Sequence, residues 1–234
     1  MKLERLQIAG IPSLLWGEKS NKVWIAVHGN LSHKEDEVIK MLAEEVVEKG
    51  YQVLSFDLPE HGERKNEATL CKVQNCVADL NKVMEYAKEN YEEVNLWACS
   101  MGAYFSLLTY QDELLNQCLF LSPVVNMKVI IDNMMKWSNT TEEVLKEKQE
   151  VKTDFGPTLY WDYYQYVKAH PITKWNHKTC ILYGDKDNMQ EQSLMQEFAS
   201  KFHCELSVVE HGEHFFHTKE QLACYQKWLE ESIS

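Results

Sequence analysis

The sequence predicts a single α/β domain built on a mostly parallel sheet of about eight strands, with helices on both faces. Three observations carry that reading. Short continuous apolar runs, of the kind buried on both sides of a parallel sheet, recur along the chain. Between them the apolar spacing changes to the three-and-four pattern of a helix, so strand and helix alternate. A length of 234 residues and a 44% hydrophobic share suffice for one sizeable core, so one domain spans residues 1–234.

The elements follow in order. Residues 2–8 alternate apolar and polar as a half-buried strand does, and Gly10, Pro12 and Ser13 turn the chain toward a hairpin partner at Leu14-Leu15-Trp16. Val23 to Val27 is a continuous apolar run ended by His28-Gly29. From Lys34 to Lys49 the spacing is helical through Val38, Met41, Leu42 and Val46, and Gly50 ends it. Residues 51–56 form the next strand, running into Asp57-Leu58-Pro59-Glu60-His61-Gly62, and residues 69–89 the next helix. A strand at 93–98 and a helix at 102–112 follow. Cys118 to Leu121 is a strand stopped by Ser122-Pro123, and Cys180 to Tyr183 a strand stopped by Gly184-Asp185-Lys186-Asp187. After a helix through Leu194, Met195 and Phe198 comes the last strand, Leu206 to Val209. His211 to Phe216 then leads into a closing helix carrying Leu222, Tyr225, Trp228 and Leu229.

Residues 124–178 break the alternation, because they separate two strands by far more than one helix requires. They are rich in Met and aromatic residues, among them Met134, Trp137, Phe155, Tyr160 and Trp161, and hold a charge-rich helical stretch from Glu142 to Lys152. This segment is expected to be a helical cap inserted over the C-terminal edge of the sheet. The same aromatics would also serve simply to dock an insertion on the core.

The formal net charge is −12, from 24 basic and 36 acidic residues, which argues against nucleic acid or an anionic membrane surface as partner. Seven cysteines, an odd number without a C-x-x-C pair, point to a reducing compartment. The opening Met1-Lys2-Leu3-Glu4-Arg5 carries no apolar leader run, and no stretch approaches the length of a membrane span. The expectation is a cytoplasmic protein that acts on a small molecule. No pattern specifies an oligomeric state.

The chemistry concentrates where strands end. Ala98-Cys99-Ser100-Met101-Gly102 lies between a strand and a helix, in the small-x-Ser-x-Gly pattern of a nucleophile elbow. Such a turn is so sharp that its flanking positions must be nearly free of side chain. Ligands of open α/β sheets bind beyond the C-terminal strand ends. Asp185 and Asp187 follow a later strand and His214 the last one, giving the chain order Ser, Asp, His. A serine hydroxyl needs a base as it attacks, His titrates near neutrality, and a carboxylate fixes the imidazole tautomer. The Met101 N–H, at a helix start, suits a developing oxyanion. Asn30, in the loop after Val27, is the candidate second donor; losing one such donor costs about 3–4 kcal/mol of transition-state stabilisation.

On His28-Gly29-Asn30, Phe56 to Gly62, Ala98 to Gly102, Gly184 to Asp187 and Glu213-His214-Phe215-Phe216, the chain resembles the α/β-hydrolase superfamily over nearly its whole length. The resemblance is greatest to small capped serine hydrolases: carboxylesterases, acylglycerol lipases and related peptidases. It implies the α/β-hydrolase fold and a hydrolase of carboxylic esters, thioesters or amides that needs no cofactor and no metal. The family's Gly-x-x-Asp ends on the catalytic acid, which points to Asp187 rather than Asp185. Its catalytic His precedes an apolar or aromatic residue, matching His214 before Phe215. Its second oxyanion donor follows His-Gly, matching Asn30. The chain departs from the family's first glycine at Ala98, a place where some family lipases also carry Ala.

Other assignments compete. His211, His214 and His217 could be read as a metal cluster, although a loop and a helix start need not bring them together. His28 reads as a structural histidine bonding its loop, His61 and Asp57 as organisers of their turn that could also touch substrate, and Cys99 as a packing residue. Two functions of other classes stay open: a non-catalytic small-ligand binder on the same fold, and an acyltransferase.

Overall fold

The computed structural model describes residues 1–233. The chain opens with a hairpin, β1 (Leu3–Ile8) and β2 (Ile11–Trp16), followed by β3 (Lys22–Val27), α1 (Glu37–Glu48), β4 (Gln52–Phe56) and α2 (Val73–Asn90). Then come β5 (Glu93–Cys99), α3 (Met101–Thr109) and β6 (Cys118–Leu121). The insertion holds α4 (Met127–Trp137), α5 (Glu142–Lys148), a small hairpin of β7 (Glu150–Lys152) and β8 (Thr158–Tyr160), and α6 (Trp161–Ala169). The chain closes with β9 (Thr179–Gly184), α7 (Gln192–Phe202), β10 (Glu205–Val209) and α8 (Lys219–Ser232).

Eight strands form one sheet in the order β1-β2-β4-β3-β5-β6-β9-β10, parallel from β4 to β10, with β1 and β2 joining antiparallel. Period-two alternation gives the sheet two cores. Val23, Ile25, Val27, Leu96 and Phe120 pack under α2, α3 and the insertion. Trp24, Ala26, Trp97 and Leu119 pack under α1 and α8. Ridge residues such as Leu80, Tyr110, Leu42 and Tyr225 are wholly buried, so both faces of the sheet are covered.

Differences from the expected elements have local causes. α1 starts at Glu37 because the Asp36 carboxylate caps the Val38 N–H, while Lys34 turns inward to Asp57. α2 starts at Val73, since the Cys71 N–H is taken by the Glu60 carboxylate. The charge-rich stretch is helical only to Lys148. Gln149 takes a positive φ of 64°, and Glu150 to Lys152 pair with β8 as a strand. β1 lies at the sheet edge with only Ile8 buried, so its alternation is more exposed than a half-buried strand. Among the described residues no helix is long and apolar enough to cross a membrane.

Candidate active site

β5 lies at the centre of the sheet, between β3 and β6, and the chain reverses sharply at its end. Ser100 makes that turn with φ 50° and ψ −121°, a conformation that L residues with side chains seldom adopt. It is held by backbone on both sides: the Ser100 N–H donates to the Leu121 carbonyl at 3.1 Å, and its carbonyl accepts from Val124 N–H at 3.0 Å. The following Gly102 is obligatory on steric grounds. A Cβ there would lie 2.3 Å from the His28 carbonyl oxygen and 2.6 Å from that of Val27. Ala98 is fully buried in the core, so its methyl is accommodated.

The structure brings Ser100, Asp187 and His214 into one hydrogen-bonded row. Ser100 Oγ is 2.8 Å from His214 Nε2, and His214 Nδ1 is 2.7 Å from Asp187 Oδ2. A carboxylate can only accept, so Nδ1 carries the proton and Nε2 offers its lone pair to the serine hydroxyl. The Asp187 side chain is wholly buried, and its Oδ1 accepts from the N–H groups of Met189 at 2.7 Å and Gln190 at 3.2 Å. Asp185 points elsewhere, toward Lys186 at 3.6 Å.

A contact between two glycines sets the spacing of acid and imidazole. A Cβ on Gly184 would fall 2.3 Å from the Gly212 carbonyl carbon, so the loops after β9 and β10 touch backbone to backbone. The Lys186 N–H donates to the Gly212 carbonyl at 2.8 Å and seals that contact. The sequence offered Gly212 as a signal, between His211 and Glu213, that the motif reading did not use.

Met101 and Asn30 flank Ser100 from the helix start and from the loop after β3. Neither backbone N–H has a protein acceptor among the described residues. His28 is buried in the same loop. Its Nε2 accepts from Leu58 N–H at 3.0 Å and its Nδ1 faces the Gly29 carbonyl at 2.7 Å. Burial is the main cause that lowers its pKa to about 4. His61 bonds the Pro59 carbonyl through Nδ1, and its Nε2 accepts from Leu31 N–H at 3.2 Å. Asp57 is fully buried against Lys34 Nζ at 2.6 Å and also accepts from the N–H groups of Lys34 and Glu63. Burial pushes that carboxyl up, but Lys34 and the two N–H groups outweigh it and hold it below the usual range. Both His61 and Asp57 therefore organise the turn.

The three histidines spaced by three have separate partners. His211 faces Glu210, His217 faces Glu213 and His214 faces Ser100 and Asp187. The Cys99 thiol beside the serine is pushed up to about 12, chiefly by burial.

Two cavities meet at Ser100. One, of about 430 Å³, lies between the Gly29–Ser32 loop and the His214–Phe216 segment. The other, of about 410 Å³, lies under the insertion and is lined by Met127, Ile130, Ile131, Met134, Leu159 and Tyr163. Gln190 joins this roof to the acid loop. Its buried Oε1 accepts from Val125 and Asn126 N–H at 3.1 and 3.0 Å.

Comparisons with known proteins agree with this architecture. A family model described as Serine aminopeptidase, S33, matches residues 18–171, a stretch that includes Asn30 and Ser100 and ends before Asp187 and His214. No curated protein matches the chain. Among solved structures, Est1E from Butyrivibrio proteoclasticus with ferulic acid bound gives a TM-score of 0.76 at 18% identity, over 98% of this chain and 99% of its own. A putative hydrolase from Agrobacterium vitis S4 gives 0.78 at 13% identity, over 100% and 99%. Mouse alpha/beta hydrolase domain-containing protein 10 gives 0.77 at 13% identity, over 99% and 98%. At these identities the likeness is one of fold.

Proposed function

The chain belongs to the hydrolase family described as Serine aminopeptidase, S33, with the α/β-hydrolase fold, and from that premise we propose that it cleaves esters of apolar carboxylic acids through an acyl-enzyme on Ser100. The observation that carries this reading is the row Ser100 Oγ, His214, Asp187 at 2.8 and 2.7 Å, placed where two cavities meet.

In this reading His214 Nε2 takes the hydroxyl proton as Ser100 Oγ attacks the acyl carbonyl. Asp187, pinned by two backbone N–H groups, keeps the imidazole oriented and stabilises the imidazolium. The N–H groups of Met101 and Asn30 receive the oxyanion. His214 passes its proton to the leaving alcohol, then activates the water that releases the acid and restores Ser100.

The ester reading rests on the walls. The cavity under the insertion is mostly Met, Ile, Leu and Tyr, and its one acidic lining residue, Glu60, is bonded to Cys71 N–H at 2.6 Å. Such walls suit an alkyl or aryl acyl group better than the ammonium of a peptide N-terminus. Est1E binds ferulic acid, an aryl acid, on the same fold.

The test is a chain-length series of p-nitrophenyl esters, acetate through palmitate, on wild type and Ser100→Ala. The expected result is turnover in wild type, and a fall on the order of 10⁶-fold in the mutant with its fold intact. Equal turnover in the two proteins would refute the role of Ser100. No turnover of any ester by wild type would refute the ester reading.

A further inference from the structure

Behind the wall of the cavity under the insertion lie two thiols that the proposed hydrolysis does not use. Cys71 Sγ and Cys76 Sγ are 3.6 Å apart, and both residues are free cysteines. Cys71 stands in the loop just before α2, anchored through its N–H to Glu60, and lines the cavity together with Ser100 and Asn30. Cys76 is buried behind it, in the second turn of α2. The two sulfurs are therefore unequal in position: the outer one faces the substrate space, and the inner one can reach only its neighbour.

Their surroundings make them unequal in chemistry as well. The S–H of Cys76 directed at Cys71, and after it the imidazole of His61, lower the Cys71 thiol to about 6. Burial keeps Cys76 protonated, well above the ordinary thiol range. A thiolate is the reactive form of cysteine, and a second cysteine beside it resolves its first oxidation product, giving up its own proton as it attacks. Buried thiols elsewhere are held in the inert form, Cys99 at about 12 and Cys204 at about 11.

We propose that Cys71 and Cys76 are an oxidisable dithiol built into the wall of the substrate cavity, with hydrogen peroxide or an organic hydroperoxide as the oxidant. The Cys71 thiolate attacks one peroxide oxygen, the O–O bond breaks, and the departing hydroxide or alkoxide takes a proton from solvent. Cys71 is then a sulfenic acid. The Cys76 sulfur attacks it, the S–O bond breaks, and the leaving hydroxide carries off the Cys76 proton as water. Two thiols and one hydroperoxide become one disulfide, one water and one further water or alcohol. The two electrons come from the sulfurs and go into the broken O–O bond. The sulfurs must close from 3.6 Å to about 2.05 Å, which draws Cys71 toward α2.

That movement has a route to turnover. The Cys71 N–H is tied to the carboxylate of Glu60, the neighbour of His61, whose Nε2 receives the Leu31 N–H at 3.2 Å and lies 3.3 Å from Asn30 Oδ1. His61 is thus a positioning residue for the loop whose Asn30 N–H receives the oxyanion, and the shift of Cys71 on oxidation reaches it through the Glu60 anchor. This second half of the inference rests on the hydrolase reading above; the thiol chemistry does not.

The experiment treats wild-type protein with increasing hydrogen peroxide, alkylates the remaining thiols and maps the peptides. Cys224, which is exposed, serves as the internal reference. Lys72 lies between the two cysteines, so trypsin releases them on separate peptides that only a disulfide joins. The expected result is a Cys71–Cys76 link formed before Cys224 is consumed and reversed by dithiothreitol. A several-fold fall in kcat on the ester substrate, restored by the same reductant, accompanies it. In Cys76→Ser, whose hydroxyl can still donate to Cys71 but cannot form a disulfide, the sulfenic acid persists at Cys71 and is trapped by dimedone. Cys71 still alkylatable after Cys224 has been oxidised would overturn the proposal, as would a dimedone-free Cys71 in the variant. A link without any change in kcat would overturn the coupling through His61. Absence of ester turnover before any peroxide is added would instead indict the hydrolase reading.

Discussion

Two regions meet at Ser100, and they are held by different means. Below it, the loops after β3, β5, β9 and β10 are fixed by close backbone approaches, and the loop after β4 by a buried histidine. Gly102 sits under the His28 and Val27 carbonyls, Gly184 on Gly212, and His28 Nε2 on the Leu58 N–H. Above it, residues 124–178 present a roof of apolar side chains to the cavity, such as Ile130 and Met134. Outer ties such as Lys72 to Asp162, at 2.8 Å, brace the roof on α2. A backbone contact tolerates no substitution that adds a Cβ, whereas an apolar lining tolerates most changes of similar volume. The difference teaches a division of labour. In the proposed hydrolysis the lower loops would set whether a bond is broken, and the roof whose bond it is. Gln190 spans both, as the next residues but two after Asp187 and a partner of Val125 and Asn126 N–H.

The sharpest way to break that division is to change the lower region without moving its backbone. Asp187→Asn keeps the shape but presents an amide to His214 Nδ1, favouring the wrong tautomer. The expected fall in kcat is about 10⁴-fold, with KM and unfolding midpoint little changed, measured by ester kinetics and urea titration. A drop confined to KM would place Asp187 in binding rather than in the proposed row.

Much of the lower region could be read from residue order, because its groups follow consecutive strands and a parallel sheet sends all those strand ends to one edge. Ser100 after β5, Asp187 after β9 and His214 after β10 could arrive nowhere else. What order could not give was the packing that tunes them. Gly184 meets Gly212 through space, and the Cys71 N–H meets the Glu60 carboxylate across a loop, neither at a spacing that periodicity reports. The roof was legible as an insertion rich in Met and aromatics, but its hairpin was not. Glu150-Val151-Lys152 reads as a continuation of the charged helix until Gln149 adopts a positive φ and reverses the chain.

The framework beneath the site offers the next largest effect. Lys34 and Asp57 form a buried ion pair, with side chains 3% and 0% exposed. Asp57→Ala takes the buried partner from Lys34, leaving its ammonium only the half-exposed Glu63 carboxylate at 2.6 Å, and leaves the N–H groups of Lys34 and Glu63 without their acceptor. The expected loss is about 3–5 kcal/mol of stability, read as a lowered urea midpoint. A surface ion pair of the roof, such as Lys168 with Glu142, should show less than about 1 kcal/mol in the same assay.

His28 adds a pH signature to the same framework. Its folded-state pKa is lowered to about 4, from an ordinary value of 6.5, chiefly by burial. The unfolded chain therefore binds the proton more readily between those values. Stability is fully present above about pH 6.5 and falls as acid is added, reaching its floor below about pH 4. Between about pH 7.5 and about pH 5 the expected loss from this group is about 2 kcal/mol. His28→Gln should flatten that part of the urea-midpoint profile while lowering it overall.

The smallest effect belongs to the roof, and it is the one that tests the division of labour from above. Met134 lines the cavity under the insertion and also the adjoining groove of about 190 Å³ where Trp137 and Phe155 pack edge to face. A long acyl chain that fills the first space would continue into the second past this side chain. Met134→Ala should therefore change kcat/KM on the longest p-nitrophenyl esters by up to about tenfold and leave the acetate ester unchanged, since one apolar contact is worth about 1–3 kcal/mol. A uniform loss across the series would mean that the roof helps to hold Ser100 or His214 in place, and the two regions would then be one machine rather than two.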